Sequence, residues 1–172
     1  ARLSWFHFPY LKRLARSMAT NEQKDLQQLE EYLAQHFPSV AHAGIEYATQ
    51  TDDFLVLQAP LAKNHNDQDS AFGGSLYNLA LMSCWVTLYL ECIKCVKNPR
   101  LVTRDAQMRY RHPASSPILK ASCRKPNPRQ REGFFAHYQK AGRNSITFTS
   151  QILNDTDVVA YFDGVFVLLG DS

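Results

Sequence analysis

Cysteine is scarce in this sequence, glycine is scarcer than its length would lead one to expect, and no charge of one sign predominates. Each scarcity closes off a class of protein. The four cysteines, Cys84, Cys92, Cys95 and Cys123, do not make a disulfide framework, and a chain of 172 residues can bury a core without covalent staples. Cys92 and Cys95 form one C-x-x-C, but no second pair and no suitably spaced histidine pair follows, so neither a zinc centre nor a redox motif is expected. Reduced core thiols are the simpler reading, with a cytoplasmic location and no cofactor. His42, His65, His112 and His137 are scattered, which gives no metal cluster. A phosphate-binding P-loop and a G-x-S-x-G nucleophile elbow are both missing. The net charge of +3 is too small to name a nucleic-acid partner, which would need that charge gathered on one face with stacking aromatics.

Long apolar runs are also few. Ala1 to Met18 is broken by Arg2, His7, Lys12, Arg13 and Arg16, so it does not read as a secretory signal. Residues 1–19 read as a basic amphipathic extension, either a membrane-surface or partner-binding helix or an accessory end. The chain does not start with Met, and Met18-Ala19-Thr20 offers an alternative start. One long apolar segment, from Gly73 to about Val96, is interrupted by Asn78, Ser83, Thr87 and Glu91, which argues for a buried helix and against a transmembrane span.

What remains is a pattern of alternating elements expected to make one domain over residues 20–172. Thr20 and Gln23 form a capping box before Leu26, Leu29 and Leu33, predicting a helix that stops near Pro38. Ile45, Tyr47 and Thr49 alternate, Asp52-Asp53 marks a turn, and Phe54 to Ala59 completes a hairpin. After the long helix, Val102, Ala106, Met108 and Tyr110 face a core, with Arg109 and Arg111 outward, in a strand ended by Pro113. Further strands are expected at Ile118 to Arg124, Ser145 to Asn154 and Val158 to Leu169, with a turn at Asp155 to Asp157. Phe134 to Lys140 reads as a short helix stopped by Gly142, or as a strand. Hairpin-linked strands argue for an antiparallel sheet, and a helix apolar on nearly every side must be wrapped by it. The surplus apolar surface argues for a homodimer.

The chemistry concentrates between Asn64 and Leu76. A polar loop, Asn64-His65-Asn66-Asp67-Gln68-Asp69-Ser70, enters the helix through Gly73-Gly74. Glycines at a helix N-terminus let a ligand reach bare backbone N–H groups, where the aligned dipoles favour negative charge. The alternative is a packing device where helix and sheet approach closely. Amides and carboxylates on the loop can orient water or take its proton.

These residues resemble the hotdog-fold acyl-CoA thioesterases, many of which carry an Asn and then His-Gly-Gly at the entry to the central helix. The nearest likeness is to the YiiD C-terminal type of thioesterase family. Asn64 and Asn66 match its N-x-N loop, Phe72 to Leu76 its F-[GA]-G-S-L entry, and Trp85 its helix tryptophan. Val102-Thr103-Arg104-Asp105 with Tyr110 and Pro113 matches the strand motif, so the likeness spans roughly Leu26 to Leu169.

The resemblance implies an α+β hotdog fold, an antiparallel sheet wrapped around a long central helix, in a homodimer or dimer of dimers. It implies hydrolysis of an acyl thioester on CoA or an acyl carrier protein, with the carbonyl held near Gly74. Its catalytic candidates are Asn66, Asp69, Gly74, Thr103 and Asp105. Asn64, His65, Phe72, Gly73 and Ser75 are candidates for substrate contact. Two positions depart from the pattern: Phe72 replaces the usual His, and Leu81 stands where many relatives have an acid. Asp69, then Asp105, is the substitute base; the first can equally cap the helix, and the second can tie strand to loop. Arg124, Lys125 and Arg129, with Arg131, form a basic loop that is either simply solvated or placed to meet the phosphates of CoA or an acidic carrier protein. A non-catalytic acyl-binding module is the rival reading.

Overall fold

The computed structural model describes residues 28–170. The expected amphipathic extension and the expected capping box at Thr20 and Gln23 lie outside them. The chain divides into two compact units, one ending at Pro38 and the other beginning at Ser39. In the first, residues 28–36 form helix α1. Leu29 and Leu33 are buried, and Tyr32 stacks at a tilt on His36 one turn later, as their spacing requires.

Pro38 does not simply end the helical segment. It opens a second short helix, α2, Pro38–Ala43. Proline suits a first helical turn because the N–H it lacks would have no partner there. Gly44, at a φ of +64°, then turns the chain into the sheet.

Six strands follow: β1 Glu46–Gln50, β2 Phe54–Pro60, β3 Arg100–Tyr110, β4 Ile118–Arg124, β5 Arg143–Asn154 and β6 Asp157–Leu169. They form one antiparallel sheet in the order β1-β2-β4-β5-β6-β3. The long helix α3, Gly73–Cys92, crosses one face and touches β2, β3, β4, β5 and β6. Its buried side chains include Leu76, Leu79, Met82, Trp85 and Leu88, which pack with Leu55, Leu57, Phe162 and Phe166 to form the core. This is the sheet-around-helix arrangement expected of a hotdog fold.

The buried hydroxyls of α3 have partners, as such groups must. Ser83 Oγ shares a 2.7 Å hydrogen bond with Ser150 Oγ of β5, and Thr87 donates to the Ser83 carbonyl. At the C-terminal end, Glu91 lies 2.7 Å from Lys94 and 3.6 Å from Arg131. Arg131 belongs to α4, Pro128–Ala141, which is longer than the sequence predicts. Its first turn is held by a capping box in which Asn127 and Gln130 exchange hydrogen bonds, a signal that apolar periodicity does not carry.

Two bulges matter below. In β3, Thr103 pairs with Phe166 and Asp105 with Val165, leaving Arg104 over. Side-chain alternation therefore slips by one residue. Ala106, Met108 and Tyr110 keep the helix-facing side as expected, whereas Val102, expected to face the core, lies on the opposite face and is 44% exposed. In β6, Val159 is the extra residue.

Candidate active site

The loop before α3 is built by its own amides. Asn64 is buried, and its side chain donates 2.8 Å hydrogen bonds to the carbonyls of Ala43 and Pro60. Its own carbonyl accepts from Phe72 N–H at 2.7 Å. Asn66 Oδ1 accepts from the backbone N–H of Gln68 and of Ser70, while its amide donates to Ser70 Oγ at 3.1 Å. Asn64 thus anchors the loop to the sheet, and Asn66 holds the loop closed on itself. Asp69, at the tip, adopts a φ of +55° and is exposed, a conformation Asp tolerates better than most residues.

The helix entry is bare. Phe72 is the residue before the first turn and offers no capping side chain, and the first turn has no acid. Ser75 and Leu76 N–H both turn back to the Phe72 carbonyl. Among the described residues no acceptor meets the N–H of Gly73 or Gly74. Two amides at the positive end of a 20-residue helix are left to a ligand, which is the electrostatic setting for an oxyanion.

Each glycine lies against an aromatic ring. A Cβ on Gly74 would run into Cε1 of Phe72, and one on Gly73 would sit 3.3 Å from the Tyr110 hydroxyl. The Phe72 ring, 56% exposed, therefore lies beside the free amides. Tyr110 closes the other side: its hydroxyl donates a 2.7 Å hydrogen bond to the Gly73 carbonyl. Partial burial, and secondarily Tyr77 nearby, raise the Tyr110 pKa above its ordinary value, so it stays a neutral phenol. Its place in the strand motif was legible, but its contact with Gly73 depends on a strand 37 residues away.

Other candidates lie farther off. Thr103 and Asp105 precede Tyr110 on the same strand, roughly 20 and 17 Å away along it once the bulge at Arg104 is discounted. Thr103 shares the helix-facing side with Phe166, and Asp105 the opposite side with Val165. Neither reaches Gly74 within one protomer. His65 bridges to Ala71 at the loop's base, with Nδ1 3.0 Å from the Asn66 carbonyl oxygen. Ser75 sits in the first turn of α3. Arg124 pairs with Phe54 at the end of the sheet away from Pro60 and Ile118, six residues or roughly 20 Å from the loop. Lys125 Nζ is engaged by Gln50 Oε1 and the Thr51 carbonyl. Arg129 lies beside them at the start of α4.

The thiols take no part in this arrangement. Cys84, Cys92 and Cys123 are buried, while Cys95 lies past the end of α3 and is exposed, unlike the core residue expected. Burial, with Cys95 and Glu91 adding to it, pushes the Cys92 thiol up to about 12. Among the described residues no three potential metal ligands cluster, and no helix is long and apolar enough to cross a membrane.

Comparison with known proteins agrees with this geometry. A solved protein of unknown function from Chlorobaculum tepidum is 30% identical, with a TM-score of 0.82 over 87% of this chain and 96% of its own. A structure described as a putative thioesterase from Shewanella oneidensis is 24% identical, with a TM-score of 0.77 over 86% and 99%. A thioesterase from Haemophilus influenzae is 16% identical, with a TM-score of 0.65 over 84% and 90%; these last two likenesses speak for the hotdog fold alone. The family described as "Putative thioesterase (yiiD_Cterm)" matches residues 26–170, a span that takes in the loop, the bare glycine entry and Tyr110, and it is to this family that the chain belongs.

Proposed function

We propose that the protein hydrolyses acyl thioesters carried on CoA or an acyl carrier protein. The observation that carries this is the pair of unpartnered N–H groups at Gly73 and Gly74, set between the Phe72 ring and Tyr110. A thioester carbonyl oxygen seated there gains two donors as water adds to its carbon and negative charge develops. The C–S bond then breaks, and the thiolate takes up the proton released by water. Asp69, on the loop that Asn66 holds, is the carboxylate for that proton transfer. Asn66 acts by keeping the loop in place.

The working unit in this reading is a homodimer. β3 is an outermost strand of 11 residues, and an exposed strand of that length is a template for pairing. Antiparallel pairing with the same strand of a second copy, centred on Gln107 with the bulged Arg104 left over, would set Thr103 of that copy opposite Tyr110 on the helix-facing side. It would set Asp105 opposite Arg109 on the other face. That is the way Thr103 joins the residues around Gly74, whereas Asp105 stays on the far side of the sheet.

Thiol release from a panel of acyl-CoAs tests the activity, with Asn66→Ala and Asp69→Ala as comparisons. Both variants are expected to be slower, and no turnover at any chain length would overturn the reading. The rival, an acyl-binding module without turnover, is favoured by Leu81 and Phe72, apolar residues that cannot act as bases. Acyl-CoA binding with no thiol released would establish it.

A further inference from the structure

The strand that brings Tyr110 to Gly73 also builds a concavity on the other face of the sheet. Because side chains alternate, Tyr110 turns to α3 while its neighbours Arg109 and Arg111 turn away. With His112 and with Val158 and Tyr161 of β6 they line an open cavity of about 430 Å³. Its form follows from the β6 bulge. Ile152 pairs with Ala160 and Leu153 with Val158, so Val159 is left over. Its single carbonyl accepts the N–H of both Arg111 and His112, at 2.9 and 3.2 Å. That shared acceptor terminates β3 and fixes two consecutive side chains at the cavity.

The charges there are unequal in availability. Arg109 is held by the Asp163 carboxylate and by Gln107 Oε1 at 3.2 Å. Asp163 is thereby neutralised, and Arg109 is held in place. Arg111 and His112 are exposed and have no side-chain partner among the described residues. The result is a concavity with an uncompensated guanidinium, an imidazole and an aromatic wall from Tyr161. A guanidinium fork matches the paired oxygens of a phosphate.

We infer that this cavity holds the phosphate of the thioester's carrier, an inference that rests on the hydrolase reading. In CoA and in a carrier protein's prosthetic arm alike, phosphate terminates the pantetheine chain whose other end bears the sulfur. The two ends of such an arm have matching places here. Arg109 and Arg111 flank the residue whose hydroxyl touches Gly73, so the anion and acyl positions lie at one level of one strand, on its two faces. The arm passes over the end of β3 at His112 and Pro113. The basic residues Arg124, Lys125 and Arg129 belong to the end of β4 and the segment after it, three strands across the sheet from β3, and Lys125 already has partners.

Calorimetric titration of the intact protein with CoA, phosphopantetheine and pantetheine tests this without requiring turnover. Arg111→Ala/His112→Ala is compared with Arg124→Ala/Arg129→Ala; all four residues are exposed, so both variants are expected to fold. The first is expected to lose at least tenfold in CoA affinity with pantetheine unaffected, and the second to match the parent. An equal loss for phosphopantetheine assigns the cavity to the phosphate common to both carriers. A loss confined to CoA assigns it to the nucleotide's phosphates. Unchanged CoA affinity in Arg111→Ala/His112→Ala, a loss in the distal variant instead, or no CoA binding to the parent overturns the inference. CoA binding through Arg111 with no thiol release from any acyl-CoA would leave the cavity standing and remove the hydrolase.

Discussion

The Tyr110 hydroxyl donates to the Gly73 carbonyl at 2.7 Å, fastening the last residue of β3 to the first residue of α3. Tyr110→Phe keeps the ring and removes this bond. A loss of about 0.5–1 kcal/mol is expected at this half-exposed position, measured by chemical denaturation, with lower kcat if the bond also aligns the free amides. Because the folded pKa of Tyr110 is raised, its contribution is intact below its unfolded value near pH 10 and lost as pH rises beyond it. Parent stability is therefore expected to fall more steeply than that of Tyr110→Phe above about pH 10. Parallel curves would remove this role.

Gly74 and Phe72 are coupled by contact. Gly74→Ala drives a methyl group into the Phe72 ring, so the ring must shift. A decrease in kcat/KM on the order of tenfold to a hundredfold is expected. In a Phe72→Ala background the same change should cost much less. Additive effects in that cycle would mean that the ring does not shape the site.

The dimer reading is tested at the β3 edge. Val102→Glu/Gln107→Glu adds carboxylates at exposed positions on the Asp105 face, so a single protomer should fold normally. Like charges near a two-fold axis repel, and sedimentation at micromolar concentration should show dissociation together with loss of turnover. A monomeric variant with full turnover would show that one protomer suffices.

The thiols give a test of packing. Cys95 is exposed, while Cys84 and Cys92 have raised pKa values from burial first of all. Alkylation near neutral pH followed by peptide mapping should label Cys95 first and slowly, because its own pKa is raised as well. Cys84, Cys92 and Cys123 should react only on unfolding. Equal labelling of Cys92 and Cys95 would indicate that the last turn of α3 opens.

Much of this was legible in residue order, and the failures have definite causes. The Gly73-Gly74 entry, the turn at Asp155 to Asp157 and the last two strands follow from local chemistry, and local chemistry is what a sequence displays. Pro38 reads as a stop in the sequence yet begins α2, because proline serves both ends of helical segments. Alternation alone puts Val102 inward, because a bulge at Arg104 leaves no mark in an alternating pattern. The site was half visible: its loop and glycines are contiguous, whereas Tyr110, Arg111 and His112 gain their meaning only from pairing with β6 and contact with α3. The basic run near Lys125 drew notice by density alone, and density says nothing of which end of a sheet a charge occupies.

The hydroxyl pair of Ser83 and Ser150 bears on how the site can respond to substrate. It joins the middle of α3 to the middle of β5 inside an otherwise apolar layer. Sliding the helix by one turn would break this bond and the packing around it; Ser83 Oγ would keep the Ala80 carbonyl and Ser150 Oγ the Ser122 carbonyl, so the hydrogen bond itself accounts for about 0.5–1.5 kcal/mol. The helix is therefore indexed lengthwise against the strands, and the free amides at its tip keep a constant height above Tyr110. Differences among acyl groups must then be absorbed by the Phe72 ring and the loop tip around Asp69, which makes those two places, and not the helix, the parts to alter when chain-length preference is to be changed.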